Sequence, residues 1–218
     1  MQLTRERIIT AAVELIEREG VDAVSMRRIA AQLGSGVMSL YNHVPSKAAL
    51  LDGVAERVMS GIDFTTEPDA SWEDQVRAQA RAFWQMARTY PRCTMVVVSR
   101  PATSATALRP MEYALATLRT AGFGGEDAVR VVRAFVGYVV GSLVREVGVA
   151  PGLVPQRPLG QDQAVLEADR PIGLSPDEFP QVTGLTAELM HRDHDADFEF
   201  GLNLLVRAVA DLRPARTS

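Results

Sequence analysis

The chain has 218 residues, 47% of them hydrophobic, a single cysteine and a formal net charge of −4. This length and composition allow a buried core in one domain or in two modest ones. The acidic balance excludes a protein coated with nucleic acid over its whole surface, and one cysteine, Cys93, excludes an internal disulfide framework. Because no long apolar run or secretory leader pattern occurs, we expect a cytoplasmic protein. We expect Cys93 to pack as a small buried residue.

The N-terminal region is predicted to form four short helices. Apolar residues at helical spacing predict helices over residues 5–19, 26–33, 37–43 and 47–61. Residues that cap or interrupt helices mark their limits, with Thr4, Ser25 and Ser46 at the starts and Gly20, Gly34 and Pro45 at the ends. The second and third helices, joined by a tight turn at residues 35–36, form a helix-turn-helix pair.

Three positive charges and no negative one lie in and next to this pair. No Asp or Glu occurs from residue 23 to residue 51, whereas Arg27, Arg28 and Lys47 lie there, and Lys47 is the only lysine of the chain. A small cationic surface on an acidic protein is typical of a dedicated DNA-reading element.

The third helix is the candidate reader, because a helix enters the major groove when a second helix braces it across the DNA backbone. Val37 and Met38 can contact thymine methyl groups, and Arg27 can contact a guanine. Four further residues suit phosphate oxygens: Ser39, Tyr41, His43 and Lys47. The alternative is that Tyr41 and His43 only pack the small domain, which is the role that we expect for Leu40 and Val44.

Residues 33–54 read LGSGVMSLYNHVPSKAALLDGV and resemble the recognition-helix region of the tetracycline-repressor (TetR) family. Trp72, residues 99–101 and the turn at residues 122–123 are further similarities to the tetracycline-repressor branch. The resemblance implies an all-α fold. It has an N-terminal helix-turn-helix DNA-binding domain, residues 1–61, and a larger helical ligand-binding and dimerisation domain, residues 62–218.

The resemblance also implies a role for each matching residue. It implies that Arg27, Val37 and Met38 contact bases. The residues that it implies contact phosphates are Ser25, Ser39, Tyr41, His43 and Lys47. Asn42 lies between the two roles. Ser35 departs from the family pattern, in which a packed aliphatic residue usually occupies this position, so we expect a less firmly buried turn.

The second part of the chain is also predicted to be helical. A capping box at Ser71 and Asp74 begins a fifth helix that ends before Pro91. A short apolar segment, 95–98, precedes helices over residues 104–121 and 126–147. A loop rich in Pro and Gly, 149–174, is of a length that is usually functional or mobile. Capping residues predict the starts of the last two helices. The ninth begins at Ser175 with Pro176 and Glu178, and the final helix begins at Asp195.

The eighth and final helices carry wide apolar faces. On the eighth, Gly137 and Gly141 allow close helix approach, and on the final helix four apolar residues share a face: Phe198, Leu202, Leu205 and Val209. We therefore expect a homodimer through a four-helix bundle formed by residues near 126–147 and 195–212 of two copies. The alternative is that both faces are buried within one chain.

A small-molecule effector is implied by the resemblance, in a pocket among helices five to eight. The candidates combine apolar walls with few polar groups: Gln79, Phe83, Met86, Val96, Ser99, Met111, Ala114, Leu115, Phe135 and Tyr138. Each of them could instead be ordinary core. Tetracycline-binding members have a magnesium-chelating histidine near Val96, but no histidine occurs between His43 and His191. We therefore expect a flat, largely apolar or aromatic ligand other than tetracycline.

Few residues suggest metal or catalytic chemistry. His191 and His194 with Asp193, Asp195 and Asp197 could hold a divalent metal, but we favour a solvated loop whose carboxylates lie near a helix N-terminus. We expect neither a metal nor a cofactor. Since nucleophile, zinc-protease and phosphate-loop motifs do not occur, we expect no enzyme activity.

The predicted function is a repressor that binds a palindromic operator as a homodimer and is released by an effector. The alternatives are a helical enzyme and a regulator without a ligand.

Overall fold

The helix-turn-helix pair lies near the N-terminus of the computed structural model, which describes residues 2–63, 69–101, 104–147, 175–191 and 193–212. Four helices form this part of the chain: α1 Arg5–Glu19, α2 Met26–Gln32, α3 Val37–Tyr41 and α4 Lys47–Met59. The predicted caps are confirmed, because Thr4, Ser25 and Ser46 accept hydrogen bonds from backbone N–H groups three residues later.

Two details of these helices depend on Gly34 and Pro45. Gly34 has a φ of +62°, which lets the chain reverse between α2 and α3 without the steric cost that a side chain would add. Helix α3 ends at Tyr41, earlier than predicted, and the N–H groups of His43 and Val44 both bond to the carbonyl of Leu40. Pro45 disfavours helical backbone at Val44 and so prevents the helix from continuing beyond this turn.

Seven helices follow: α5 Trp72–Thr89, α6 Pro91–Ser99, α7 Ala105–Thr120, α8 Gly125–Val147, α9 Pro180–Gly184, α10 Thr186–Met190 and α11 His194–Asp211. The Ser71 cap of α5 is confirmed, with the Ser71 hydroxyl oxygen 3.1 Å from the backbone nitrogen of Asp74. Helix α6 is longer than the apolar segment predicted at residues 95–98. Pro91 both limits α5 and occupies the first turn of α6, where its missing N–H group costs no hydrogen bond.

The predicted start of the ninth helix is wrong. The carbonyl of Ser175 accepts bonds from the N–H groups of Glu178 and Phe179, which forms one turn, and α9 begins only at Pro180. The last helix begins one residue before Asp195, and its N-cap is Asp193, whose carboxylate accepts a hydrogen bond from the N–H group of Ala196 at 2.9 Å. The predicted loop over residues 149–174 lies outside the described residues.

Two clusters of buried side chains form the interior. The first joins α1 to α4 with residues of α5 and α6, and Cys93 lies in it, fully buried as predicted. Burial raises the pKa of the Cys93 thiol, which therefore stays protonated and unreactive. The second cluster joins α5, α7, α8 and α11, with the rings of Trp84 and Phe198 stacked 3.9 Å apart.

The architecture agrees with the predicted all-α class. The described residues contain helices and no strand. Among these residues, no helix has both the length and the apolar composition that a bilayer crossing requires.

Candidate functional site

Helix α3 is fixed by its inner residues and presents its outer residues to solvent. Leu40 and Val44 are buried, as predicted for packing residues. On the outer side, Met38 is 76% exposed and Tyr41 is 42% exposed. His43 is also exposed, so the alternative that Tyr41 and His43 serve only to pack the small domain has no support from their burial. A short braced helix with exposed apolar and aromatic side chains can contact base edges.

The nine residues predicted to contact DNA lie on α2, α3 and the start of α4, or directly beside these helices. Val37 is half-buried and packs against the first cluster. The other eight are exposed: Ser25, Arg27, Met38, Ser39, Tyr41, Asn42, His43 and Lys47. Their roles in DNA binding stay predictions.

One of the three cations on this surface, Arg28, is neutralised by a carboxylate. Arg28 forms an ion pair with Glu19, which comes from α1 and so lies outside the acid-free stretch. Hydrogen bonds from Arg18 and Arg28 lower the pKa of the Glu19 carboxyl, which favours its charged form. Arg27 and Lys47 form no ion pair within the described ranges, so they are the better candidates for contacts with DNA.

Ser35, the residue that departs from the family pattern, lies in the turn between α2 and α3. Its hydroxyl oxygen is buried and has no hydrogen-bond partner in the described structure. A buried hydroxyl without a partner destabilises a fold, because the hydroxyl has lost its bond to water. The turn is thus weakened by an unsatisfied polar group.

An apolar cavity of about 320 Å³ lies among α4, α5, α6, α7 and α8. Five of the ten predicted pocket residues line it: Gln79, Phe83, Met111, Ala114 and Phe135. The other five are not in its lining. Met86 and Val96 are buried in the first cluster, Leu115 packs against the second, and the hydroxyls of Ser99 and Tyr138 donate to the carbonyls of Val96 and Phe198.

Several lining residues were missed because they come from α4 and from the end of α6. Asp52, Ala55 and Met59 belong to a helix that the sequence assigned to the DNA-binding domain alone, and Arg100 follows α6. The Asp52 and Arg100 side chains supply the only two charges of this lining as described. The sequence holds no signal that would bring these residues together, since they are far apart in the chain.

Arg100 ties the cavity wall to α4. Its Nε and Nη2 atoms donate to Oδ1 of Asp52 at 3.0 and 2.7 Å, and Nη2 also donates to the carbonyl of Ala48 at 3.3 Å. Only 27% of the Arg100 side chain and 32% of the Asp52 side chain are exposed, so this pair is better protected from solvent than a surface pair.

Helix α6 is held by the N-terminal helices at its other end as well. The carboxylate of Glu17, on α1, accepts hydrogen bonds from the N–H groups of Arg92 at 3.3 Å and Cys93 at 2.7 Å. These N–H groups belong to the first turn of α6 and have no partner within the helix, so a carboxylate is well placed there. Both ends of a helix that borders the cavity are therefore attached to the N-terminal helices, one end to α1 and the other to α4.

The carboxylates near the start of α11 have partners other than a metal. Asp193 caps the helix, Asp195 accepts a hydrogen bond from Arg88 at 2.8 Å, and Asp197 accepts one from Arg145 at 3.1 Å. No cluster of three or more potential metal ligands occurs in the described part of the chain.

Comparison with known protein families matches both parts of the chain. Residues 65–212 match the tetracyclin repressor-like C-terminal domain, and residues 8–54 match the bacterial regulatory proteins of the tetR family. The chain belongs to the TetR family. The resemblance stated from residues 33–54 is therefore confirmed, and with it the combination of an N-terminal helix-turn-helix with a helical C-terminal region.

Individual TetR relatives support this assignment. The HTH-type transcriptional repressor DrrR1 of Streptomyces coeruleorubidus is 37% identical over 141 residues, which are 64% of this chain and 52% of that repressor. The chain thus matches about half the length of that relative. ActR of Streptomyces coelicolor, solved in complex with actinorhodin, is 25% identical with a TM-score of 0.79, covering 99% of this chain and 100% of ActR. A TetR variant of Acinetobacter baumannii AYE, solved in complex with minocycline, is 27% identical with a TM-score of 0.73, covering 100% of this chain and 98% of that TetR chain.

Proposed function

We propose that this TetR-family regulator is a repressor without enzyme activity that binds a palindromic operator as a homodimer and is released by a small molecule. Residues 1–61 form the DNA-binding domain in this proposal, and residues 62–218 bind the effector and the second subunit. The observation that carries it is the attachment of α6, which borders the apolar cavity, to α1 and α4 through Glu17 and Arg100. A ligand that shifts α6 would therefore also shift the helices that contact DNA.

The proposed DNA contacts follow from exposure and charge. Met38 is available for apolar contact with thymine methyl groups, and Arg27 and Lys47 have no acidic partner among the described residues. Arg27 is assigned to a base and Lys47 to a phosphate. Tyr41 and the other exposed polar residues of this surface are assigned to the backbone, where they set the orientation of α3.

The proposed dimer interface lies on α8 and α11. The predicted α11 face is wrong for Phe198, Leu202 and Val209, because the second cluster buries them within the chain. Phe200 and Leu204 on the same helix are instead 69% and 52% exposed, which is costly for large apolar side chains in water. On α8, added Cβ atoms at Gly137 and Gly141 would meet no atom of another element within 4 Å among the described residues, so these glycines leave room for a helix of a second copy. A Gly141→Arg variant should be monomeric in size-exclusion chromatography with light scattering. Gly125→Arg, on the same helix but outside the proposed interface, should stay dimeric.

The proposed effector is flat and largely apolar or aromatic. Apolar side chains dominate the cavity walls, among them Phe83 and Phe135, and Gln79 is a polar anchor. The two solved relatives described above are bound to actinorhodin and to minocycline, which supports a small-molecule effector in this chain. We do not assign tetracycline, because Val96, near the position of the magnesium-binding histidine, supplies no metal ligand.

Selection from a random duplex DNA library, followed by fluorescence anisotropy, tests the DNA-binding part of the proposal. We expect enrichment of one palindromic sequence that binds with a Kd of about 10⁻⁸ M or below at physiological salt. Equal affinity for the enriched and random duplexes would contradict a sequence-specific regulator. Release of the enriched duplex by flat aromatic compounds would support the effector, and a regulator without a ligand would keep its DNA under every compound.

A further inference from the structure

A second cavity adjoins the apolar one and has different chemistry. Its volume is about 490 Å³, and its walls come from α5, α7 and the end of α4 with the residues after it. Met59, Gln79 and Pro110 border both cavities, so the two spaces are adjacent. Hydroxyl, amide and charged groups are frequent in the second lining: Ser60, Asp63, Gln75, Thr106, Arg109 and Thr117.

Hydrogen bonds fix the polar groups at the junction. The Gln79 Nε2 group donates to the hydroxyl of Thr117 at 2.9 Å, and this hydroxyl donates to the carbonyl of Tyr113 at 3.0 Å. The Thr117 hydroxyl also lies 3.3 Å from Oε1 of Gln75, whose Nε2 group donates to the carbonyl of Ala70 at 3.0 Å. These bonds leave the side-chain oxygen of Gln79 without a partner in the described structure. Since the groups are already ordered, binding a ligand here costs little side-chain entropy.

The polar groups of this second cavity favour a neutral ligand group. Most of them are uncharged hydroxyls and amides: Ser60, Gln75, Gln79, Thr106 and Thr117. Arg109 adds a guanidinium that forms no ion pair within the described ranges, and because Arg109 is exposed, solvent and salt screen its attraction for an anion. A neutral group with many hydroxyls can donate to amide oxygens and accept from guanidinium and hydroxyl groups. Tyr113 adds an aromatic surface to the lining.

We propose that the second cavity binds a neutral polyhydroxylated substituent, such as a sugar, attached to an aromatic effector that occupies the first cavity. The proposal rests on the proposed function and specifies its ligand, because an apolar space and a polar space meet at Gln79. The effector would be a glycoside with a flat aglycone. Arg109 and Thr106, on α7, are specificity-determining residues for the sugar, while Phe83 and Phe135 contact the aglycone.

Matched pairs of polycyclic phenols and their O-glycosides, with emodin and its 8-O-glucoside as the first pair, test this assignment. Dissociation constants are measured by calorimetry for the full chain and for three variants: Arg109→Ala, Thr106→Val and Arg57→Ala. Arg57 is an exposed arginine on α4 outside both cavities and outside the proposed dimer interface, so its variant is the matched control. Because Arg109 is exposed, its loss should leave the fold intact.

In the wild type we expect at least one glycoside to bind about three- to tenfold more tightly than its aglycone, as one or two added hydrogen bonds would give. Arg109→Ala and Thr106→Val should reduce this gain without changing the affinity for the aglycone, and Arg57→Ala should keep it. The proposal is overturned if aglycones bind but no glycoside binds more tightly, or if the gain survives both α7 variants. In these cases the effector cavity of the proposed function still stands. If no compound of either kind binds, the effector cavity and the sugar site fail together.

Discussion

Removal of the Asp52 carboxylate should weaken the attachment of α6 to α4. Asp52→Ala deletes the acceptor of two charge-assisted hydrogen bonds, at 3.0 and 2.7 Å, and leaves Arg100 with one bond to the carbonyl of Ala48. Exposed ion pairs contribute about 0.2–1 kcal/mol, and hydrogen bonds to charged groups in protected sites contribute about 1.5–3 kcal/mol. Because about 30% of each side chain is exposed, we expect an intermediate value, about 1–2 kcal/mol.

A double-mutant cycle measures this coupling directly. Asp52→Ala, Arg100→Ala and the double variant are unfolded in urea and followed by circular dichroism at one protein concentration, since the proposed dimerisation would make stability depend on concentration. With an m value of about 2–3 kcal/mol/M, Asp52→Ala should lower the urea midpoint by about 0.3–1 M. Asp177→Ala, at an exposed aspartate without an ion pair in the described structure, is the control and should leave the midpoint unchanged. A coupling energy below about 0.3 kcal/mol would refute the idea that this pair joins the two helices.

Four further predictions concern single side chains. Lys47→Ala should weaken binding to operator and random DNA alike and lower the slope of affinity against salt by about one per subunit, and equal slopes would remove Lys47 from the phosphate contacts. Arg27→Ala should cost about 1–3 kcal/mol per site and relax preference at one base pair in binding assays, whereas an unchanged preference would assign Arg27 to the DNA backbone. Hydrogen bonds from Arg81 lower the pKa of the Glu199 carboxyl, so their stabilisation is present above a pH of about 4.3 and is lost as pH falls through the lower, folded value. Glu199→Gln should therefore reduce stability by about 0.5–1 kcal/mol at neutral pH, and a difference that persists in acid unfolding curves would contradict this origin. Ser35→Ala should raise the melting temperature, because it removes a buried hydroxyl without a partner at a gain of about 0.5–1 kcal/mol, and a lower melting temperature would show that the hydroxyl is satisfied.

Local chemistry made the N-terminal helices predictable. The caps at Thr4, Ser25 and Ser46 depend on a side chain and an N–H group three residues later, so the sequence alone contains the whole interaction. The same reasoning failed for the ninth helix. Ser175 and Glu178 have the residue types of a capping box, yet the chain makes a single turn there and begins its helix at Pro180.

The cavity was only half predictable because helix rotation is set by long-range packing. Phe83 and Phe135 line the cavity, whereas Met86 and Val96, predicted for the same pocket, pack in the first cluster instead. Apolar residues occur on more than one side of α5 and α6, so periodicity does not reveal which side borders a cavity. The contribution of Asp52 was invisible for a related reason, since it depends on the contact between α4 and the end of α6.

The attachment of α6 has a consequence for chimeric regulators. Cys93 and Val96 complete the interior that α1 to α4 begin, and Glu17 caps the first turn of α6 across the predicted domain limit at residues 61–62. If residues 1–61 were replaced by the corresponding part of a relative, the surface facing α6 would change. The first-turn N–H groups of α6 would then lack their carboxylate unless that relative also has an acid at the position of Glu17. Chimeric regulators of this family should therefore exchange α6 together with residues 1–61, so that the two exchanged parts keep their contact.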